Sequence, residues 1–295
     1  MRTLVILNPA AGGRADAREL RRRIERRIEG DFVATTEARE AVDLASEASR
    51  TGYDAVIAVG GDGTVGEVAT GLHLGGGVPR LGIVPAGTGN DLARSLGLPT
   101  DVEQAAAVAV AGRTIDLDLI RVSRGDADAQ PRFVANVAVT GFCGRIGDAM
   151  SPTFRRRLRP VAYPLAALRQ LRDLRPYSVR LEIDGQAVEA KALMVILANG
   201  AYAGGKVRLA PDAATGDGRL DLVIIHAMSP PKLATLVPRV LLGRHAGHTG
   251  VSIYRAAAVR MESEPAMWIN LDGDTWRAGP ASFRVVPGAL QVAVP

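Results

Sequence analysis

The stretch Ala58-Val59-Gly60-Gly61-Asp62-Gly63-Thr64-Val65-Gly66-Glu67-Val68 constrains this chain more than any other. The apolar run Ala55 to Val59 enters it and a helix-like run leaves it. Glycines at that density let backbone amides come close to a ligand, because no Cβ stands in the way. A strand, a Gly-rich turn and a helix start together make a site for phosphate. The stretch therefore predicts a layered α/β unit that holds a nucleotide by its phosphates.

The surrounding sequence has the matching rhythm. Thr3 to Leu7, Phe32 to Thr36, Tyr53 to Val59 and Leu81 to Val84 are short apolar runs, as expected for strands buried on both faces. Between them lie helical patterns: Asp16 to Ile28, with Leu20, Ile24 and Ile28 at spacings of four, then Glu37 to Ser49 and Val65 to Leu72. Asp91 to Leu96 and Val102 to Ala111 continue the pattern. Alternation of this kind implies a mainly parallel sheet, whose ligands sit at the carboxyl ends of strands. Glycine-bearing loops fall at such ends at residues 8–13, 60–66 and 85–91.

After about Thr114 the rhythm changes to closely spaced strands, several separated by Asp-Gly turns such as Asp184-Gly185, Asp217-Gly218 and Asp272-Gly273. Strands are expected at 115–122, 132–139, 177–183, 192–198, 220–225, 249–254, 256–262, 267–271, 281–286 and 291–294, with helices at about 152–174 and 231–242. The expectation is an α/β nucleotide-binding domain over residues 1–118 and a β-rich, antiparallel, sandwich-like domain over residues 119–295.

Composition narrows the classes. One cysteine, Cys143, excludes an internal disulfide framework and a Cys-rich metal site. No apolar run approaches a membrane span, and the N-terminal apolar run is too short for a signal peptide. A cytoplasmic protein is expected, with peripheral contact at the inner face of the membrane left open. Residues 1–118 carry 13 Lys/Arg and 17 Asp/Glu, whereas residues 119–295 carry 23 and 14. That basic surplus suits an anionic membrane surface, nucleic acid or an ordinary solvated surface. No nucleic-acid module appears, so no nucleic acid is expected as a partner. The segment Phe154 to Leu174 interleaves six arginines with apolar residues, which fits either a membrane-surface helix or a domain helix with a solvated arginine face.

Two phosphate-binding motifs can be set aside. Gly61-Asp62-Gly63-Thr64-Val65-Gly66 has the G-x-G-x-x-G form, but from Val68 to Asn90 there is no Asp or Glu to hold a ribose. Gly200 to Val207 nearly has the P-loop form, but Val207 stands where Ser or Thr must ligate magnesium, and Pro211 interrupts the required helix. An aspartate inside a phosphate-facing loop is better explained by a cation between the two, and Mg²⁺ prefers carboxylate, phosphate and water oxygens. Asp62, Asp91 and Asp116 are the candidate ligands. Asp91 has a second reading, as the N-cap of the helix that follows it.

Three motifs taken in order carry a resemblance: Asn8-Pro9-Ala10-Ala11-Gly12-Gly13, then Gly60-Gly61-Asp62-Gly63-Thr64 with Glu67, then Pro85-Ala86-Gly87-Thr88-Gly89-Asn90-Asp91. The chain resembles the diacylglycerol kinase catalytic-domain family, which includes bacterial lipid kinases and more distant sphingosine and ceramide kinases. The likeness extends over later segments, including Thr114 to Leu117, Ala198 to Gly205, Pro211 to Asp221 and Asn270 to Asp274. It implies a two-domain kinase that uses ATP and Mg²⁺ to phosphorylate a lipid hydroxyl at the membrane surface. It implies nucleotide contacts from Asn8, Thr36, Gly60, Gly61, Asp62, Gly63, Thr64, Glu67, Gly87 and Thr88. It implies a magnesium-linked network of Asp62, Asp91 and Asp116, and a general base at Asp272, which the residues alone would sooner read as a plain hairpin turn. Asp274 stands where the family commonly has Glu. Ala214 stands where some members have an acid for a second Mg²⁺, which argues against that second site. A non-catalytic nucleotide- or lipid-binding protein of the same fold, and a kinase of a sphingoid base or of NAD, are the alternative readings. Lipid identity and assembly, a homodimer included, are left open.

Overall fold

The computed structural model describes residues 1–11, 17–124, 132–141, 175–271, 274–277 and 279–295. The first part runs β1 (Thr3–Leu7), α1 (Ala17–Glu25), β2 (Asp31–Ala34), α2 (Glu40–Arg50), β3 (Ala55–Gly60), α3 (Asp62–Leu74), β4 (Arg80–Pro85), α4 (Asp91–Ser95) and α5 (Val102–Ala111). Its four strands are parallel, in the order β2-β1-β3-β4. Every residue of β1 and β3 is buried, because helices cover both faces of the sheet. On one face α2, α3 and α4 pack Ala41, Ala45, Val68, Leu72 and Leu92 against Leu4, Val56 and Ile83. On the other, Leu20, Ile24 and Ile28 meet Ala105 and Ala109 of α5 over Val5, Ile57 and Val84. Burying each Val, Leu or Ile of these layers contributes about 1.5–3 kcal/mol, which makes the sheet a rigid base for the loops on its edge. The start of α5 is fixed by Asp101, whose Oδ1 accepts the amides of Glu103 and Gln104 at 3.0 Å each.

The second part is mixed in order but almost all strand: β5 (Arg113–Arg124), β6 (Arg132–Val134), β7 (Val137–Thr140), β8 (Tyr177–Ile183), β9 (Gln186–Ala198), β10 (Tyr202–Ala203), β11 (Val207–Arg208), β12 (Leu220–His226), α6 (Pro230–Leu241), β13 (Val251–Ala256), β14 (Ala258–Glu264), β15 (Trp268–Leu271), β16 (Asp274–Arg277) and β17 (Ala281–Val294). Its pairings are antiparallel, as in β8 with β9 and β12 with β13. In β8, residues alternate buried and exposed along its whole length, the mark of a sheet with one wet face. One core layer joins Leu181, Val195, Leu222, Ile224, Ile269 and Phe283. A second, on the opposite face, joins Ile196, Val223, Ile225 and Leu236 of α6.

The two parts are sewn together by β5 and β17. The boundary expected near residue 118 lies inside β5, which pairs with β17 from Arg113 to Arg124. The strands expected separately at 281–286 and 291–294 are one strand, irregular between Val286 and Leu290. Its last residues run parallel to β4, with Val292 beside Leu81, and Leu290, Val292 and Val294 belong to the core of the first part. The expected strand over 132–139 is divided into β6 and β7, which pair with different neighbours. The expected basic helix over 152–174, and Cys143, lie outside the described residues.

Candidate active site

β1, β3 and β4 end on one edge of the parallel sheet, and each is followed by one of the glycine-bearing loops. Strand order also reverses here, since β2 lies on one side of β1 and β3 on the other. Open parallel sheets bind ligands at such a point. Asn8 ties the first loop to the second: its amide donates to the Val59 carbonyl at 3.0 Å, its Nδ2 donates to Thr64 Oγ1 at 3.0 Å, and its Oδ1 accepts the Ala10 amide at 2.9 Å.

The second and third loops interlock through their backbones. The amides of Ala86 and Gly87 donate to the Gly60 carbonyl at 2.8 and 3.2 Å. A Cβ on Gly87 would stand 2.3 Å from Gly61 Cα, so only glycine permits this approach. Asn90 locks the turn, its Oδ1 accepting the Gly87 amide at 2.9 Å and its Nδ2 donating to the Gly87 carbonyl at 3.0 Å. It does so with φ of 54°, a left-handed conformation that Asn tolerates.

Asp62 opens α3 and reaches across to α4. Its Oδ1 accepts the amides of Asp91 at 2.6 Å and Leu92 at 3.1 Å. The cap of α4 is therefore the carboxylate of Asp62, 29 residues earlier in the chain, and the reading of Asp91 as that cap is corrected. Asp91 is itself 6% exposed, and both its oxygens accept the amide of Gly205, at 3.0 and 2.9 Å. The two carboxylates flank Gly89, where an added Cβ would lie 2.7 Å from Asp62 Oδ2 and 3.3 Å from Asp91 Oδ2. Burial pushes the Asp91 carboxyl above the usual aspartate range; the Gly205 amide pulls it back, Asp62 pushes it up again and Arg94 opposes that.

Gly205 comes from the other part of the molecule. It lies at the tip of the β10–β11 hairpin, where Gly204, Gly205 and Lys206 all have positive φ. This is the segment set aside as a P-loop. It does not begin a helix, but it delivers its amide to the acidic edge of the nucleotide-type domain. A short chain of bonds steadies it: the Tyr202 amide donates to Ser95 Oγ at 3.3 Å, Ser95 Oγ donates to the Asp91 carbonyl at 3.0 Å, and Asn136 Nδ2 donates to the Tyr202 carbonyl at 3.0 Å.

Other expected site residues are placed as follows. Thr36 follows β2 on the same edge, with its amide and hydroxyl both donating to Glu40 Oε2 at 2.6 and 3.1 Å. Glu67 Oε1 accepts the Arg39 amide at 3.3 Å, which draws the loop before α2 onto α3. Asp116 does not join Asp62 and Asp91. It bonds to Gln291 Nε2, whose neighbour Val292 stands level with Leu81 at the start of β4. The loop bearing Asp91 leaves the other end of β4, roughly 16 Å away along the strand direction. Among the described residues no group of three or more His, Cys, Asp or Glu forms a metal cage. Asp272 lies outside the described residues; β15 and β16 on either side of it are paired, with Leu271 opposite Asp274.

Sequence reasoning passed over Asp118, two residues beyond Asp116. It is 1% exposed, and its carboxylate accepts the amides of Gly218 at 2.6 Å and Gly288 at 2.7 Å. It also missed the role of Asn90 and the Gly205 contact. The repeated Asp in Ile115-Asp116-Leu117-Asp118 gave no basis for choosing between the two, since both occupy the same strand face in alternation.

Interlocked glycine loops at the switch point of a parallel sheet, with two carboxylates beside them, define a nucleotide-type α/β domain joined to a β-rich partner. Residues 2–122 match the diacylglycerol kinase catalytic domain, and residues 136–294 match the YegS C-terminal NAD kinase beta sandwich-like domain. The chain belongs to the diacylglycerol kinase catalytic-domain family and is a lipid kinase. It is 37% identical to a diacylglycerol kinase of Mycobacterium tuberculosis (strain ATCC 25618 / H37Rv) over 265 residues, 88% of this chain and 82% of that protein. It is 29% identical to a diacylglycerol kinase of Bacillus subtilis (strain 168) over 299 residues, 100% of this chain and 96% of that protein. The crystal structure of a diacylglycerol kinase from Bacillus anthracis str. Sterne superposes with a TM-score of 0.81 at 23% identity, over 100% of this chain and 97% of that one, which establishes the shared fold.

Proposed function

We propose that this chain transfers the γ-phosphate of Mg-ATP to the hydroxyl of diacylglycerol or a related long-chain lipid alcohol. The observation that carries the reading is the meeting of Asp62 and Asp91 at Gly89, beside loops whose amides suit phosphate. Family membership and the names of the curated relatives support it.

On this reading the loops after β1, β3 and β4 cradle the nucleotide, through Asn8, Gly60, Gly61, Gly63, Thr64, Gly87 and Thr88, with Thr36 and Glu67 at the side. Backbone amides bind phosphate without a reorganisation cost, and phosphoryl transfer depends chiefly on such positioning and charge stabilisation. The donor set fits Mg²⁺, which is held by one or two carboxylates together with phosphate and water oxygens rather than by an all-protein cage. Asp62 and Asp91 supply the carboxylates. When bound, Mg²⁺ neutralises charge on the phosphate oxygens. Asp62 has a second task, since the same carboxylate fixes the start of α4 and thereby the position of Asp91. The Gly205 amide holds Asp91 from the β-rich side and so keeps the two parts in register at the site.

By its resemblance to the family, Asp272 is assigned as the general base. It takes the alcohol proton late, as metaphosphate-like transfer proceeds, so an aspartate of ordinary basicity suffices. The test is phosphate transfer from labelled ATP by the purified chain in mixed micelles, against diacylglycerol, monoacylglycerol, ceramide, a sphingoid base and NAD. Label is expected in a neutral lipid and not in NAD. ATP binding without transfer to any lipid would favour the non-catalytic alternative. Asp272→Asn is expected to lose nearly all transfer while retaining ATP binding; unchanged turnover would remove Asp272 from the role of base.

A further inference from the structure

Helix α6 presents an apolar face with no partner among the described residues. Leu233, Leu236 and Val240 face the core, where Leu236 is 1% exposed. At 100° per residue the opposite side carries Ala234, Pro238, Leu241 and Leu242, with Val237 at its margin. Leu241 is 64% exposed and Leu242 is 70% exposed, and Val237 adds a third large apolar side chain in water within six residues. Isolated exposed leucines need no explanation, but a contiguous apolar face marks an interaction surface.

Charge identifies the partner. From Leu222 to Met261 the sequence has no Asp or Glu and five Lys or Arg. Lys232 and Arg239, two turns apart, share one flank of the apolar face, and Arg244 follows the end of the helix. Among the described residues none of these three makes an ion pair. A helix with an apolar face and a basic flank lies in the interface of an anionic bilayer, its leucines at the acyl boundary and its cations among the headgroups.

The position also fits. α6 packs on β11, and the β10–β11 hairpin is the one whose tip reaches Asp91. We propose that α6 is a docking surface for an anionic lipid bilayer, seating the protein so that the acidic site is held beside the membrane. Its purpose rests on the lipid-kinase reading, but its measurement does not, because docking needs neither ATP nor substrate.

The experiment is sedimentation of the full chain with phosphatidylcholine vesicles, with and without phosphatidylglycerol. Binding is expected only with the anionic lipid, and is expected to weaken as salt rises. Leu241→Gln with Leu242→Gln is expected to weaken it by about tenfold or more, and Lys232→Gln with Arg239→Gln by about fivefold per charge. These side chains are exposed, so both variants should keep the wild-type melting temperature, checked alongside. On a diacylglycerol short enough to dissolve, both should keep wild-type turnover. Undiminished vesicle binding by the leucine variant would overturn the proposal. So would sedimentation equilibrium showing that the wild type is a dimer and the leucine variant a monomer, which would assign the face to a second copy. If docking holds but no lipid is phosphorylated, the substrate reading fails and the docking surface stands.

Discussion

Asp62 carries two tasks that substitution can separate. Replacing it with alanine removes the acceptor for the amides of Asp91 and Leu92, at 2.6 and 3.1 Å. Loss of an N-cap costs about 0.5–2 kcal/mol, and a charged acceptor lies toward the upper end or slightly above. Against this, removal of a like charge beside buried Asp91 relieves some repulsion. The net expectation for Asp62→Ala is about 1–2 kcal/mol, or a fall in melting temperature of about 2–3 °C. Asp62→Asn keeps an oxygen in the same place and should cost under about 1 kcal/mol. The chemistry should not follow that order. If the carboxylate charge is what the site needs, both variants lose about 10³-fold in turnover, and both need more Mg²⁺ to bind ATP. The assays are thermal melting without nucleotide and transfer from labelled ATP over a magnesium titration. An Asp62→Asn protein with near wild-type turnover would show that the cap alone matters, and would refute the assignment of Asp62 to the cation.

Two further predictions concern acids outside the loops. Asp118→Ala leaves two part-buried amides, those of Gly218 and Gly288, without their carboxylate acceptor and should lower stability by about 1–3 kcal/mol, whereas Asp116→Ala should stay within about 1 kcal/mol and leave turnover unchanged; denaturant melts and the kinase assay check both. Asp221 is 3% exposed, and burial raises its carboxyl from 3.8 to about 6, with Arg255 opposing and Asp217 and Asp212 assisting. Because the folded state binds this proton more tightly than the unfolded chain, the protein should lose stability as pH rises from about 4 to about 6 and then level off. Asp221→Asn should remove that fall and be the more stable protein above pH 6, by on the order of 1–2 kcal/mol after solvent screening is discounted; equal pH profiles in denaturant melts would contradict the assignment.

The α/β half was legible because its signals are local. Five-residue apolar runs, helix periods and glycine loops at strand ends each carry their meaning within a few positions, and β1, β3 and α5 lie where the pattern puts them. The glycine loops and Asp62 were legible for the same reason. What could not be read was long-range register. Asp116 and Asp118 are equivalent in sequence, and only the pairing of β5 with β17 shows that one faces Gln291 and the other holds two distant amides. The Gly205 amide reaches Asp91 across 114 residues, a contact that no period or spacing encodes. The cap of α4 was misread because a helix start normally takes its cap from the residue before it, and here Asn90 is occupied with Gly87.

The course of β17 has a consequence for how the chain is made. β4 is bordered on one side by β3 and on the other by β17, whose Val292 is synthesised long after its partner Leu81. Until β17 emerges from the ribosome, the parallel sheet presents β4 as an open edge, with the apolar groups that meet Leu290, Val292 and Val294 uncovered. Such long-range pairing is slow to form and exposes nascent protein to aggregation. A fragment that stops near residue 118 would carry every glycine loop of the nucleotide-type site and still lack a wall of the domain that supports them.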